Sequence, residues 1–367
     1  MKYILDKETL LEILNQANKF SSSRGITLPV LQGVMIEAEK NSLVFTSTNL
    51  NVFYQRALVV DGVGDEALKV VVDAKKVVEF LALLSPGEIE VVFEQNKIAF
   101  VQKKAKGAFP LSAATDFPQP AVLEEKPQSV SMDFLQSVVP FLTFSTAKDE
   151  TRPVLTAICL TQRDDKPLMV ATDGFRLSLC DMKQKLVDKA TLIPADFLLE
   201  VIRQVRDEKE IKITISQEQH MMKVESAIAT YHSRLVEGDF PPYEKVIPSS
   251  VITTVTCDAD ELQRATKLVS VFARESSNIV LFGVDKTGLT LKPKGDISDE
   301  VGTVIDARVE GESLTVAFNN RFILEYLQHT KSKEVVIEFL RSDAPVVFRE
   351  TEREGAMHII MPVRIQT

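Results

Sequence analysis

Apolar residues recur along this chain with two alternating periods. Leu10, Ile13, Leu14 and Ala17 fall at helical spacing, as do Val77, Phe80, Leu81 and Leu84. Each set follows a short apolar run ending in aspartate, Ile4-Leu5-Asp6 and Val71-Val72-Asp73, at a constant offset of 67. An aspartate in that place accepts hydrogen bonds from the N–H groups that a first helical turn leaves free, so strand, cap and helix follow in order. Helices of the same kind are predicted near Asp133, Asp196, Asp260 and Asn319. Between them the pattern shifts to alternating or continuous apolar runs, at Glu88–Phe93, Lys97–Gln102, Ile211–Ile215, Met222–Val224 and Val335–Phe339, as half-buried strands require. Asn96-Lys97 and Asp285-Lys286-Thr287-Gly288 read as hairpin connections. The unit strand–helix–three strands is used six times, which predicts an α+β fold.

The half-repeats pair into a longer repeat of about 124 residues. Leu-Pro-Val-Leu-Gln-Gly-Val at 28–34, Arg-Pro-Val-Leu-Thr-Ala-Ile at 152–158 and Ile-Val-Leu-Phe-Gly-Val at 279–284 align in that register. Ser-Thr-Asn at 47–49 matches Ala-Thr-Asp at 171–173, and Asp-Phe-Pro occurs at both 116–118 and 239–241. Proline-rich joins then place three similar domains at 1–125, 126–250 and 251–367.

Composition removes whole classes of function. The 367 residues carry a net charge of −9 and ordinary apolar and charged fractions, so a folded globular chain is expected. No apolar run approaches the ~18 residues of a membrane span, and Met1–Leu5 enters a strand with no signal-peptide pattern, so a cytoplasmic protein is expected. Cys159, Cys180 and Cys257 are scattered and odd in number, which suits neither disulfides nor a zinc site. His220, His232, His329 and His358 form no ligand spacing, and phosphate-loop, dinucleotide and serine-elbow motifs are absent. Asp164-Asp165 and Glu124-Glu125 read as solvated turn or linker charge, and Asp173 as turn chemistry. No catalytic residue, cofactor or metal is expected, and the repeats suggest a scaffold that works through geometry. Two rivals stay open on the residues alone: a repeat scaffold that binds only proteins, and an enzyme with a site at a repeat junction.

Three segments carry a resemblance. Val170-Ala171-Thr172-Asp173-Gly174-Phe175-Arg176-Leu177 resembles the central-domain signature of bacterial DNA polymerase sliding clamps (the DNA polymerase III beta subunit family). Ile360-Met361-Pro362-Val363-Arg364-Ile365 resembles their carboxyl-terminal motif, and Gly238-Asp239-Phe240-Pro241 with Val246-Ile247-Pro248 resembles the segment closing the middle domain. The resemblance implies three tandem copies of the DNA-clamp fold, assembled as a ring-shaped head-to-tail homodimer around duplex DNA. It implies a processivity factor for the polymerase III catalytic subunit, with a clamp loader, other polymerases and repair proteins as further partners.

It also implies sites. A peptide pocket would comprise Leu155, Thr172, Gly174, Phe175, Arg176, Leu177, Pro241, Val246, Asn319, Phe322, Ile359, Met361, Pro362, Val363 and Arg364. Phe175, Phe322 and Lys245 stand where the family often has histidine, tyrosine and arginine, which keeps the cleft apolar and alters its hydrogen bonding. Arg24, Lys75, Lys76, Lys148, Arg152, Arg203, Lys267, Arg274 and Arg321 are the candidates for facing DNA. Phe109 and Leu111 against Val271 and Phe272 are the candidate dimer contacts. An acidic outside with basic residues kept for the lumen would let such a ring stay on DNA yet slide, since base readout would pin it.

Overall fold

Aspartate or asparagine caps open four of the six described α-helices as the pattern requires, while Asp133 and Asp196 lie one residue inside the third and fourth. Asp6 accepts from the Thr9 N–H, Asp73 from Lys76, Asp258 from Glu261 and Asn319 from Arg321. In the fifth helix the cap is therefore Asp258, and Asp260 lies inside the first turn, where its charge faces the helix N-terminus. The protein is seen in a computed structural model that describes residues 1–22, 28–60, 62–63, 67–149, 151–274, 277–295 and 301–364.

The first repeat runs β1 (Lys2–Asp6), α1 (Lys7–Lys19), β2 (Val34–Glu39), β3 (Ser42–Thr48), β4 (Val52–Val59), β5 (Gly62–Val63), β6 (Leu68–Val72), α2 (Ala74–Ala82), β7 (Glu88–Phe93), β8 (Lys97–Gln102) and β9 (Ala105–Ala113). The second runs β10 (Gln128–Ser131), α3 (Met132–Thr143), β11 (Ala157–Arg163), β12 (Lys166–Thr172), β13 (Arg176–Asp181), β14 (Thr191–Pro194), α4 (Ala195–Gln204), β15 (Glu210–Ser216), β16 (Met221–Glu225) and β17 (Thr230–Arg234). The third runs β18 (Thr253–Asp258), α5 (Ala259–Ala273), β19 (Ile279–Asp285), β20 (Gly288–Pro293), β21 (Thr303–Ile305), β22 (Ala307–Glu310), β23 (Leu314–Asn319), α6 (Asn320–His329), β24 (Glu334–Phe339), β25 (Val346–Glu350) and β26 (Ala356–Ile360). Short 3₁₀ turns at Pro29–Gln32 and Pro153–Thr156 mark the same place in the first two repeats. The α+β architecture follows the half-repeat pattern, with small extra strands such as β5 and β22 that it did not announce.

The chain folds into two compact units, Met1–Asp133 with Glu200–Leu235, and Phe134–Leu199 with Val236–Thr367. Sheet continuity draws these units, because strands pair across the joins between sequence repeats. In the first unit one 13-stranded sheet runs β10-β15-β16-β17-β4-β3-β2-β6-β9-β8-β7-β1-β5. Its repeat junction is β17 against β4, with Tyr231 opposite Tyr54 and His232 opposite Phe53. The rings of Phe20, Tyr54 and Tyr231 cluster there at centroid distances of 5.5–5.9 Å. Lys19 reaches Glu200 at 2.6 Å beside them.

The second unit has a nine-stranded sheet, β14-β11-β12-β13-β26-β25-β24-β18-β22, and a four-stranded one, β21-β20-β19-β23. Here the repeat junction is β13 against β26, with Leu177 opposite Ile359 and Ser178 opposite His358. The two junctions use the same strands of the repeat: the last strand of a first half and the last strand of a second half. In the Asp285–Gly288 hairpin Gly288 has φ +140°, and a side chain there would drive into the Ile305 carbonyl, 2.7 Å from where its Cβ would stand.

Candidate partner-binding site

Strand alternation gives β13 and β26 two different faces. Arg176 and Ser178 point, with His358, toward the α3 and α6 side. His358 stacks on Tyr326 at 5.0 Å, lies 5.1 Å from the Phe144 ring, and shares a 2.8 Å hydrogen bond with Ser178, which is joined in turn to Ser145 at 2.7 Å. Burial and the nearby Arg176 cation hold His358 well below the usual histidine range, so it sits there neutral. Leu177, Leu179, Met357 and Ile359 occupy the opposite face in one apolar cluster with Val170 and Tyr243. Val154, Val236, Phe240, Val246 and Ile247 cover that cluster and are only partly buried themselves. An apolar sheet face under an incomplete cover, rimmed by a few polar groups, is how ligand grooves are built.

The rim is set by the turn between β12 and β13. Asp173 Oδ1 accepts the N–H groups of Phe175 (2.9 Å) and Arg176 (3.0 Å), and Thr172 Oγ1 donates to the Arg176 carbonyl (2.6 Å) while accepting from the Gly174 N–H (3.1 Å). Gly174 takes φ +91°, a conformation open to glycine at little cost. The turn leaves the Phe175 ring 64% exposed, stacked on Phe322 at 6.4 Å and 23°. Arg176 is 8% exposed, and its guanidinium is held by two carboxylates and two rings. Its Nε donates to Asp173 (3.0 Å), Nη1 lies 2.5 Å from Glu325 off the ideal hydrogen-bond direction, and the plane sits over the rings of Phe322 (4.8 Å) and Phe144 (5.3 Å). The carboxyl tail closes the site. Met361 N–H donates to the Phe175 carbonyl (2.9 Å) and Val363 N–H to that of Ala317 (2.8 Å), so residues after β26 run beside the rim.

The structure thus brings Leu177, Ile359 and Val246 into one cluster, Phe175, Arg176 and Phe322 into one stack, and Met361 and Val363 alongside them. Leu155 is buried in the 3₁₀ turn, Pro241 and Pro362 are half-buried, and Arg364 is exposed. Asn319 has a structural task, since its side chain caps α6. Glu325 and Phe144, which hold Arg176, were not expected from sequence. For Glu325 a signal existed, because it follows Phe322 at i+3 on the same helix face.

Among the basic candidates, Lys75, Lys76, Lys148, Arg152, Arg203, Lys267, Arg274 and Arg321 are all exposed on or beside helices, and Arg24 lies outside the described residues. Lys76 pairs with Asp73 at 3.2 Å and Lys148 with Asp196 at 3.7 Å, so part of this charge is already answered locally. Val271 and Phe272, at the end of α5, are 58% and 41% exposed. Phe109 and Leu111 on β9 are half-buried, and Phe109 packs edge-on against Phe80 and Phe100. The three thiols are buried and pushed up by burial, Cys159 and Cys257 to about 12 and Cys180 to about 11. No described helix is long and apolar enough to cross a membrane, and no group of described side chains is placed to hold a metal.

Known proteins share both sequence and shape with the chain. A Beta sliding clamp from Bacillus subtilis is 26% identical over 99% of this chain and 100% of its own length. One from Vibrio cholerae is 23% identical over the whole of both. Crystal structures of the DNA polymerase III beta subunits of Pseudomonas aeruginosa and Thermotoga maritima, each 23% identical, superpose over the full length of both chains with TM-scores of 0.91 and 0.90. Family models for the N-terminal, central and C-terminal domains of the DNA polymerase III beta subunit match residues 1–121, 129–242 and 244–364 in that order. With all three domain models matched in sequence along nearly the entire length, the chain belongs to the DNA polymerase III beta subunit family.

Proposed function

We propose that the chain is one half of a ring that encircles duplex DNA, holds it without reading its sequence, and tethers polymerases to it in the cytoplasm. As a family member it is a non-catalytic sliding clamp, a processivity factor. The observation that carries the ring is the pairing of repeat ends. Two equivalent junctions, β4 with β17 and β13 with β26, are made within the chain. The third needs β21 and β9. β21 is a sheet edge that pairs only with β20, and Ala105–Pro110 of β9 pairs on one side with β8 and with nothing on the other among the described residues. Unpaired edges are costly to leave open and template further pairing. Pairing β21 of one protomer with β9 of its partner, twice, would satisfy both edges and close six repeats by a head-to-tail contact. Val271 and Phe272 would be covered at the same contact, together with Phe109 and Leu111.

The basic residues on the helices, interleaved with acids such as Glu79, support weak and sequence-blind phosphate contacts rather than tight binding. The Phe175–Arg176–Phe322 rim with the Leu177 and Ile359 cluster supports capture of short peptides from the polymerase III catalytic subunit, the clamp loader, other polymerases and repair proteins. Domain limits near 125 and 250 fit the same reading. The test is retention: protein loaded on closed circular DNA should persist at salt that strips unloaded protein, and cutting the circle should release it. Equal loss from intact and cut circles would overturn the ring.

A further inference from the structure

The sequence holds three cysteines and nine methionines. All three thiols are buried. Every methionine is buried as well, except Met1 and Met361. Met1 sulfur already accepts a contact from the Tyr3 hydroxyl at 3.4 Å. Met361 lies one residue past β26, is half-buried, and runs beside the exposed Phe175 rim of the site. Its backbone is fixed: the Met361 N–H is held by the Phe175 carbonyl, and Ile360 lies in register with both Arg176 and Val346.

We infer that Met361 is a reversible oxidation site through which peroxide weakens partner binding. The inference rests on the peptide-site reading above. The chemistry needs a peroxide and nothing from the protein but the thioether. A sulfur lone pair attacks one peroxide oxygen, an S–O bond forms as the O–O bond breaks, and the other oxygen leaves as water after proton transfer. Sulfur is oxidised by two electrons and the peroxide is reduced by two. The product is a methionine sulfoxide, which replaces a flexible apolar contact with a polar S=O group. An apolar peptide side chain that covers that oxygen strips its water and returns no hydrogen bond, so affinity drops. Thiol chemistry does not compete, because thiolate is the reactive form and burial holds all three cysteines as thiols.

The experiment treats the full-length protein with hydrogen peroxide, maps each sulfoxide by peptide mass spectrometry, and measures binding of a peptide with glutamine, aliphatic residues and a terminal phenylalanine. Sulfoxide should accumulate at Met361 ahead of every methionine but Met1, with Kd rising roughly tenfold, about 1.4 kcal/mol. Methionine sulfoxide reductase should reverse the loss. In Met361→Leu, whatever its starting affinity, peroxide should leave that affinity unchanged. Oxidation at Met361 with unaltered affinity would sink the inference and leave the peptide site standing, as would oxidation of buried methionines first. An untreated protein that fails to bind the peptide at all would remove both.

Discussion

Phe20 and Phe272 lie at the same distance from the aspartates that cap their helices, Asp6 and Asp258, yet one is 3% exposed and the other 41%. The difference lies in what stands opposite. Phe20 is sealed by Tyr54 and by Tyr231 of the next repeat across a completed strand junction. Phe272 closes the helix whose junction strand, β21, pairs on one edge with β20 and, among the described residues, with nothing on the other.

Phe272→Asp should therefore disperse the assembly without unfolding the protomer. The ring is already partly exposed in the isolated chain, so the fold loses less than it would at a sealed core position, whereas a charge sealed without a partner costs an interface several kcal/mol. Sedimentation of the parent is expected at twice the 40.9 kDa chain mass, and of the variant at the chain mass. A variant that stays dimeric at low micromolar concentration would place the subunit contact elsewhere.

Replacing Lys75 and Lys76 together by glutamine should weaken binding to short duplex DNA equally for all sequences. Both side chains are exposed on α2, and Lys76 is only loosely answered by Asp73. If both meet phosphates, the slope of log affinity against log salt should fall by roughly two, near one per lost contact. An unchanged slope would take α2 out of the DNA-facing surface.

Acid should loosen both internal junctions. His232, opposite Phe53 in the β4–β17 pair, is pushed down to about 4, first by burial and then by the Lys223 cation. His358, opposite Ser178 in the β13–β26 pair, is pushed down as well. Both folded-state values lie below the unfolded one near ~6.5, so the unfolded chain takes up protons first as pH falls. Stability is fully present above that value and is lost as pH falls from ~6.5 toward 4. Thermal unfolding should show a falling midpoint over that window, and His232→Phe should recover about 1–3 kcal/mol of the loss at its acid end. A midpoint that stays flat down to pH 4 would contradict the buried neutral state.

Much of the fold was legible because its signals are local. Asp6, Asp73 and Asn319 announce helices within a few residues, and the alternation of Glu88–Phe93 announces a half-buried strand. Placement near Asp260 missed the true cap by two residues because both aspartates suit a first turn, and only the hydrogen bond to the Glu261 N–H distinguishes Asp258. The junctions were not legible. Ser178 and His358 are neighbours across a strand pair but 180 residues apart in sequence, and no local period encodes that register. The site was half legible for the same reason. The Thr172–Leu177 turn writes itself in Asp and Gly, whereas the anchoring of Arg176 by Phe144 and Glu325 depends on helices brought in from elsewhere in the chain. Asn319, a pocket candidate, also caps α6, because an asparagine before a helix finds free N–H groups at hand.

Phe175→Ala should be the cleanest probe of the peptide site. Leu177 and Ile359 are core residues, so their replacement would confound binding with folding, but Phe175 is 64% exposed and holds the turn only through its backbone. Its ring offers an apolar face stacked on Phe322, whose neighbour across the rim is the Arg176 guanidinium. A peptide aromatic or leucine laid on that face gains about 1.5–3 kcal/mol from burial before ordering costs are subtracted, so micromolar affinity is expected for the whole peptide. Losing the ring should remove only part of that gain. The expected result is a Kd raised roughly five- to tenfold, about 1–1.4 kcal/mol, with an unchanged unfolding midpoint and unchanged dimer mass. Phe175→Leu should recover most of the affinity, since what it restores is apolar area rather than a hydrogen bond. If calorimetry finds the alanine variant binding as tightly as the parent, the peptide does not cross this rim, and the apolar cluster under Val246 serves only the core.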